Sequence, residues 1–221
     1  MKEIKSSINE IKKLQNKQFY HKQYSSIAKT PFKVHSFSEI MNCRMLDFCE
    51  SAYLLMKNNH IIPSVSIIRA VFENTAITNR VLISIRNSLK SNSLDNDSDE
   101  LMVKIIYGTR YVEPEAINIL TQLDKLDKKY NGIRKFYDEL CEFVHPNWDG
   151  VEGSYSNLHE DKQSSDILKV ITKEHNVFKF FSACFIACMK IYIDLITEIR
   201  NLLPEYSKLC ESEICRRNNL K

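Results

Sequence analysis

PSVSIIRAVFENTAITNRVLISIRN, residues 63–87, decides the fold. Projected at about 100° per residue from Val65, its apolar side chains fall nearly all round the axis: Ile83 near 0°, Ile77 near 120°, Ile67 and Ile85 near 200°, Ile68 near 300°. A helix that is apolar on almost every side belongs in the middle of a bundle, covered by other helices. One sector breaks the pattern. Arg69 and Asn87 project near 40°, Arg80 near 60°, Glu73 near 80°, Ser66 and Ser84 near 100° by the same rule. Charges there are costly unless paired, and Arg69 and Glu73 stand one turn apart, so an ion pair is expected. The stripe either ties neighbouring helices together or forms a cleft floor that presents Arg and Glu to a ligand.

The rest of the chain supplies helices to surround it. Only 4 Gly and 5 Pro in 221 residues leave too few turn residues for a sheet protein, so an all-α bundle of six or seven helices in one domain is expected. Pro63 suits a first helical turn. Upstream, Ser36 and Glu39 fit the Ser-x-x-Glu capping box and predict that the preceding helix starts there and runs to Asn58-Asn59. Ile4, Ile8, Ile11 and Leu14, accompanied by Lys2, Lys5, Lys12, Lys13 and Lys17, predict a basic amphipathic helix that docks on the body, on a partner or on an anionic surface. Downstream, Ile133, Phe136, Tyr137, Leu140, Cys141 and Val144 share one helical face. A polar loop is expected between Pro146 and Lys169. A last long helix is expected from about Thr172 to Leu203, limited by Pro204, with a frayed basic tail carrying Arg216, Arg217 and Lys221. The expected organisation is an N-terminal helix and linker over 1–30, a bundle core over 36–203 and a tail over 204–221.

A net charge of +3 permits nucleic-acid binding without announcing it. Seven cysteines without a CxxC pair fit reduced thiols in a cytosolic protein. The first residues are too charged for a signal peptide, and Lys179, Lys190 and Asp194 interrupt the most membrane-like run, so a cytoplasmic protein with no membrane partner is expected. The chain has no Gly-rich phosphate loop, GxSxG or HExxH, and His159 and His175 are too far apart for a helical metal pair, so neither metal nor cofactor is expected.

The remaining singular stretch is CEFVHPNWDG, 141–150. Pro146 forbids continuation of the helix and pushes His145 out of helical conformation, which fixes an imidazole and the Asn147 amide at a corner of the bundle. His145 is either a capping group or a base, and Trp148 either a stacking platform or a loop anchor.

PSVSIIRAVFEN, 63–74, and YDELCEFVHPNWDGVEGSY, 137–155, resemble a family of helical bacterial proteins with an Arg-x-x-x-Glu helix followed by a Tyr-x-x-Leu-x-x-x-x-His-Pro segment. That family in turn resembles the HEPN superfamily. The resemblance implies a helical bundle, a homodimer, and a metal-independent ribonuclease of toxin-antitoxin or phage-defence systems. Catalytic HEPN proteins place an Arg shortly before the His in one segment, whereas Arg134 stands too far before His145 here. A site assembled from Arg69, Glu73 and His145 on different helices is the expectation. His145 would take the 2'-hydroxyl proton, and Arg69 and Arg80 would meet phosphate charge. Glu73 would orient Arg69 or shuttle a proton, Asn147 would donate to phosphate or base, and Trp148 would stack. The rival expectation is a non-catalytic helical module, antitoxin-like or a sensor component, that binds a protein partner from the same defence system.

Overall fold

The computed structural model describes residues 1–16, 18, 20, 23–94, 98–108, 113–159, 164–167 and 176–219. Among these the chain is all-α apart from one short hairpin. In order come α1 (Lys2–Lys13), α2 (Lys29–Lys57), α3 (Ile61–Ser91), α4 (Ser98–Tyr107), α5 (Ile119–Asp127) and α6 (Ile133–Val144). A π-helical turn (Trp148–Glu152), the single turn α7 (Gly153–Tyr155), strands β1 (Ser156–His159) and β2 (Ser164–Ile167) and the long α8 (Asn176–Asn219) complete it.

α3 is the central helix, packed against α2, α4, α5, α6 and α8. Val65, Ile68, Val71, Phe72, Ala76, Val81, Leu82 and Ile85 are all buried, as the all-round apolar projection requires. Thr75 satisfies its hydroxyl on the Val71 carbonyl and meets Cys188 of α8 at 3.3 Å, which places α8 directly on α3. Along α8, Phe181, Phe185, Cys188, Tyr192, Leu195, Ile199 and Leu203 recur every three or four residues and are buried. By length and composition α8 could cross a membrane, but this stripe is the inner wall of the core.

α1 docks on the body rather than projecting from it. Ile4, Ile8 and Ile11 are buried, and the helix packs on α2 and α8. Asn42 fixes it by donating to the Ile11 carbonyl while accepting from the Tyr192 hydroxyl.

Three expectations fail, each for a physical reason. The Ser36–Glu39 capping box does not start α2. The helix begins at Lys29, where Ser25 accepts from the Ile27 and Ala28 amides and Pro31 sits in the first turn. Glu39 is instead buried mid-helix, accepting from Arg200 of α8 at 2.9 and 3.0 Å. Pro204 does not end α8, and the segment 204–219 is no frayed tail. A mid-helix proline costs about 3 kcal/mol, but burying each large side chain returns about 1.5–3 kcal/mol. Here Leu203, Tyr206, Leu209 and Cys210 are all buried around it, and the Ser207 hydroxyl donates to the Tyr24 carbonyl at 2.6 Å. The expected loop after Pro146 is partly structured: Ser156 to His159 pair antiparallel with Ile167 to Ser164. The expected helix start at Thr172, and Lys221, lie outside the described residues.

Candidate functional site

α6 forms where its buried face demands it, on Ile133, Tyr137 and Leu140. Its start uses Gly132 at φ 96°, a left-handed conformation natural to glycine. The Asp127 carboxylate then accepts from the Gly132 and Arg134 amides at 2.9 and 3.0 Å, filling the open donors of the first turn. Arg134 bridges Asp124 and Asp138, so it serves the α5–α6 joint and not His145.

The Arg-Glu stripe meets α6 at Tyr137. Arg69 Nε donates to Glu73 Oε1 at 3.3 Å, and the Tyr137 hydroxyl donates to the same oxygen at 2.9 Å. The Arg69 guanidinium also lies over the Tyr137 ring, 5.9 Å from its centroid. Burial, seconded by the hydrogen bond to Glu73, pushes the Tyr137 phenol well above its ordinary range. Burial likewise raises the Cys141 thiol, so Cys141 is no ready nucleophile. For Arg69 burial opposes the charge, but Tyr137, Cys141 and Glu73 outweigh it and raise the guanidinium further. The result is a permanently charged arginine held from two sides. Its side chain keeps 32% of its exposure, and its terminal amino groups make no hydrogen bond to a described residue.

Glu73 opposite Tyr137 and Arg69 beside Cys141 fix α3 and α6 as antiparallel neighbours. His145 follows Cys141 by one turn, about 6 Å further along the axis at 1.5 Å per residue, and so lies at the end of the seam that Arg69 occupies. Its backbone is extended at φ −74°, ψ 149°, as the following proline requires, and its amide donates to the Cys141 carbonyl. The ring is exposed and makes no hydrogen bond to a described residue.

The rest of the corner is built for itself. Asn147 donates to Glu142 at 2.6 Å and accepts from the Gly150 amide at 3.0 Å, so both ends of its side chain are engaged in holding the turn. Gly150 is required there, because a Cβ would collide with the His145 carbonyl. Trp148 stands 64% exposed at the tip.

Arg80 falls apart from this group. No carboxylate among the described residues pairs with it, and its charged neighbour is Lys125 of α5, whose amine is held below its ordinary range by burial first and then by Arg80 and Lys128. The stripe therefore carries a tied arginine at one level and, at another, an arginine with no carboxylate partner among the described residues. Tyr137 and Cys141 were read from the sequence only as part of the buried face of α6, and Lys125 was not read as a site residue. The available signal was the four-residue spacing of Tyr137, Cys141 and His145, together with the rule that a buried tyrosine hydroxyl finds a partner. Among the described residues no three His, Cys, Asp or Glu side chains gather to hold a metal ion.

No family model matches the chain, and no solved structure matches it. A protein of Ureaplasma parvum serovar 3, described as uncharacterized, is 29% identical over 94 residues, which is 41% of this chain and 53% of that protein. The chain thus spans about half the length of this curated relative, whose description assigns no activity.

Proposed function

We propose that this protein is a cytoplasmic, homodimeric, HEPN-like bundle that acts on RNA without a metal ion in a bacterial defence or toxin system. The observation that carries the reading is Arg69: a charge braced by Glu73 and Tyr137, its terminal amino groups uncommitted among the described residues, on the same α3–α6 seam beyond which the exposed His145 lies. A phosphodiester laid along that seam would meet a planar donor pair suited to phosphate oxygens. His145 would take the 2'-hydroxyl proton as that oxygen attacks phosphorus, the P–O5' bond breaks, and the departing oxygen is protonated by solvent or the same ring. Arg80 with Lys125 would hold a neighbouring phosphate, and the exposed Trp148 would offer a stacking face to an unpaired base. Asn147 supports the corner that presents His145.

One observation favours a second reading, a non-catalytic protein-binding module. The His145 ring has no orienting partner among the described residues, whereas a general base is commonly held by a third group. Incubating cellular RNA with wild type and with His145→Ala in excess chelator separates the two, with both folds checked by circular dichroism. Cleavage by wild type and its loss in the variant are expected. Absence of cleavage by folded wild type refutes the ribonuclease and leaves the module.

A further inference from the structure

Beside α3, α2, α4 and the chain entering α5 enclose a groove of about 720 Å³, within the range of small-molecule sites. Its floor is apolar: Phe37 and Met41 from α2, Ile77 from α3, Ile105 from α4 and Ile117. Its lips are apolar too, with Ile40 63% and Tyr107 67% exposed, an arrangement that costs solubility unless something covers it.

The charge lining this groove has one sign. Lys33, Arg44 and Lys104 border it, and among the described residues no carboxylate does. Lys33 and Lys104 are already committed, to Asp99 at 2.6 Å and Glu100 at 2.5 Å. Arg44 is not. It lies over the Phe48 ring, 4.4 Å from the centroid, and spends only Nε, on Asn74 Oδ1 at 3.3 Å. No carboxylate among the described residues pairs with it.

Two buried polar atoms beside these groups lack partners. Asn74 Nδ2, on the residue that anchors Arg44, has none, and neither does the Ser36 hydroxyl within the groove lining. Unsatisfied buried donors are rare enough in folded proteins to call for an acceptor. An apolar floor, an uncommitted guanidinium at the rim and spare donors nearby together describe a receptor for a single anionic headgroup on an aliphatic body. We infer that this groove binds a free long-chain carboxylate, with Arg44 at the headgroup and the Met41–Ile77 floor under the chain. The inference is independent of the RNA reading, since none of these residues belongs to the His145 seam.

The test is titration calorimetry with dodecanoate below its micelle concentration, with dodecyltrimethylammonium and dodecanol as controls. One-to-one binding of dodecanoate is expected, with the ammonium silent and dodecanol weaker. Arg44→Gln should weaken dodecanoate by about tenfold or more, the value of a charge-assisted contact. Ile40→Asp, a surface change that puts a carboxylate at the mouth and leaves the core alone, should weaken it as well. Met41→Trp, checked by circular dichroism, should fill the floor and abolish binding. Absence of dodecanoate binding by folded wild type overturns the inference. So does equal binding of the ammonium, binding indifferent to both Arg44→Gln and Ile40→Asp, or binding to anionic phospholipid vesicles alone.

Discussion

Removing the Arg200 side chain should be among the most damaging single changes in the bundle. The Glu39 side chain is 4% exposed and Arg200 18%, and the two meet through bonds of 2.9 and 3.0 Å from one amino group to both carboxylate oxygens. Arg200→Met leaves Glu39 in the interior with only the His35 ring beside it, which burial holds below its ordinary value, and breaking such a pair from one side costs about 3–5 kcal/mol. The lower end is expected, because Arg200 retains some solvent and its Nε is buried without a partner, so the native pair is itself imperfectly compensated. For a chain of this size that corresponds to a fall in Tm of about 6–12 °C. Urea unfolding followed by far-UV circular dichroism measures it. Glu39→Leu combined with Arg200→Met removes both charges, and should recover most of the loss, since apolar replacement of a buried pair is often neutral. A loss within about 1 kcal/mol for Arg200→Met would mean that the pair behaves as a surface ion pair, and would refute the burial argument.

Two further outcomes concern His35, beside this pair, and Tyr137, on the α3–α6 seam. His35 is buried against Tyr24 and Glu39, and burial, opposed by Glu39 and aided by Arg200, holds its ring below the ordinary value of 6.5. A depressed folded value means that the unfolded chain takes up the proton first, so stability is full above about pH 6.5 and declines as pH falls towards the folded value. Urea midpoints should drop across that interval in wild type and vary less in His35→Gln; parallel profiles would exclude His35 as the source. Tyr137→Phe deletes the hydroxyl that donates to Glu73 and should cost about 1 kcal/mol, read from the same urea curves. If RNA cleavage is found, this variant should also reduce kcat more than it raises KM, because Arg69 loses part of its brace; unchanged kinetics would make Tyr137 purely architectural.

The central helix was legible because its apolar residues fall nearly all round the axis, which demands cover on every side; the projection missed Arg86, which stands outside the charged sector and pairs with Glu198 of α8. The Arg69–Glu73 pair followed from spacing alone. Glu39 misled because Ser-x-x-Glu is a local signal, whereas its real partner stands on α8, 161 residues away. Pro204 misled for a related reason: its local penalty was visible, but the burial of Tyr206 and Cys210 that outweighs it depends on where α2 and α4 lie. The corner was half legible. That Pro146 fixes His145 could be read from the backbone rule, but the commitment of Asn147 to Glu142 and Gly150 could not, since an amide does not announce its partners.

The contact between Thr75 and Cys188 spans 113 residues of chain. During synthesis α3 therefore leaves the ribosome long before the helix that covers it. Until residues 181–199 have emerged, the Val71, Ile68 and Ile85 faces have no native cover on the α8 side, and the nascent chain presents the apolar surface that chaperones recognise. Truncation before α8 should consequently yield an aggregating chain and not a smaller bundle, so expression trials and deletion maps of this protein need to retain its last helix.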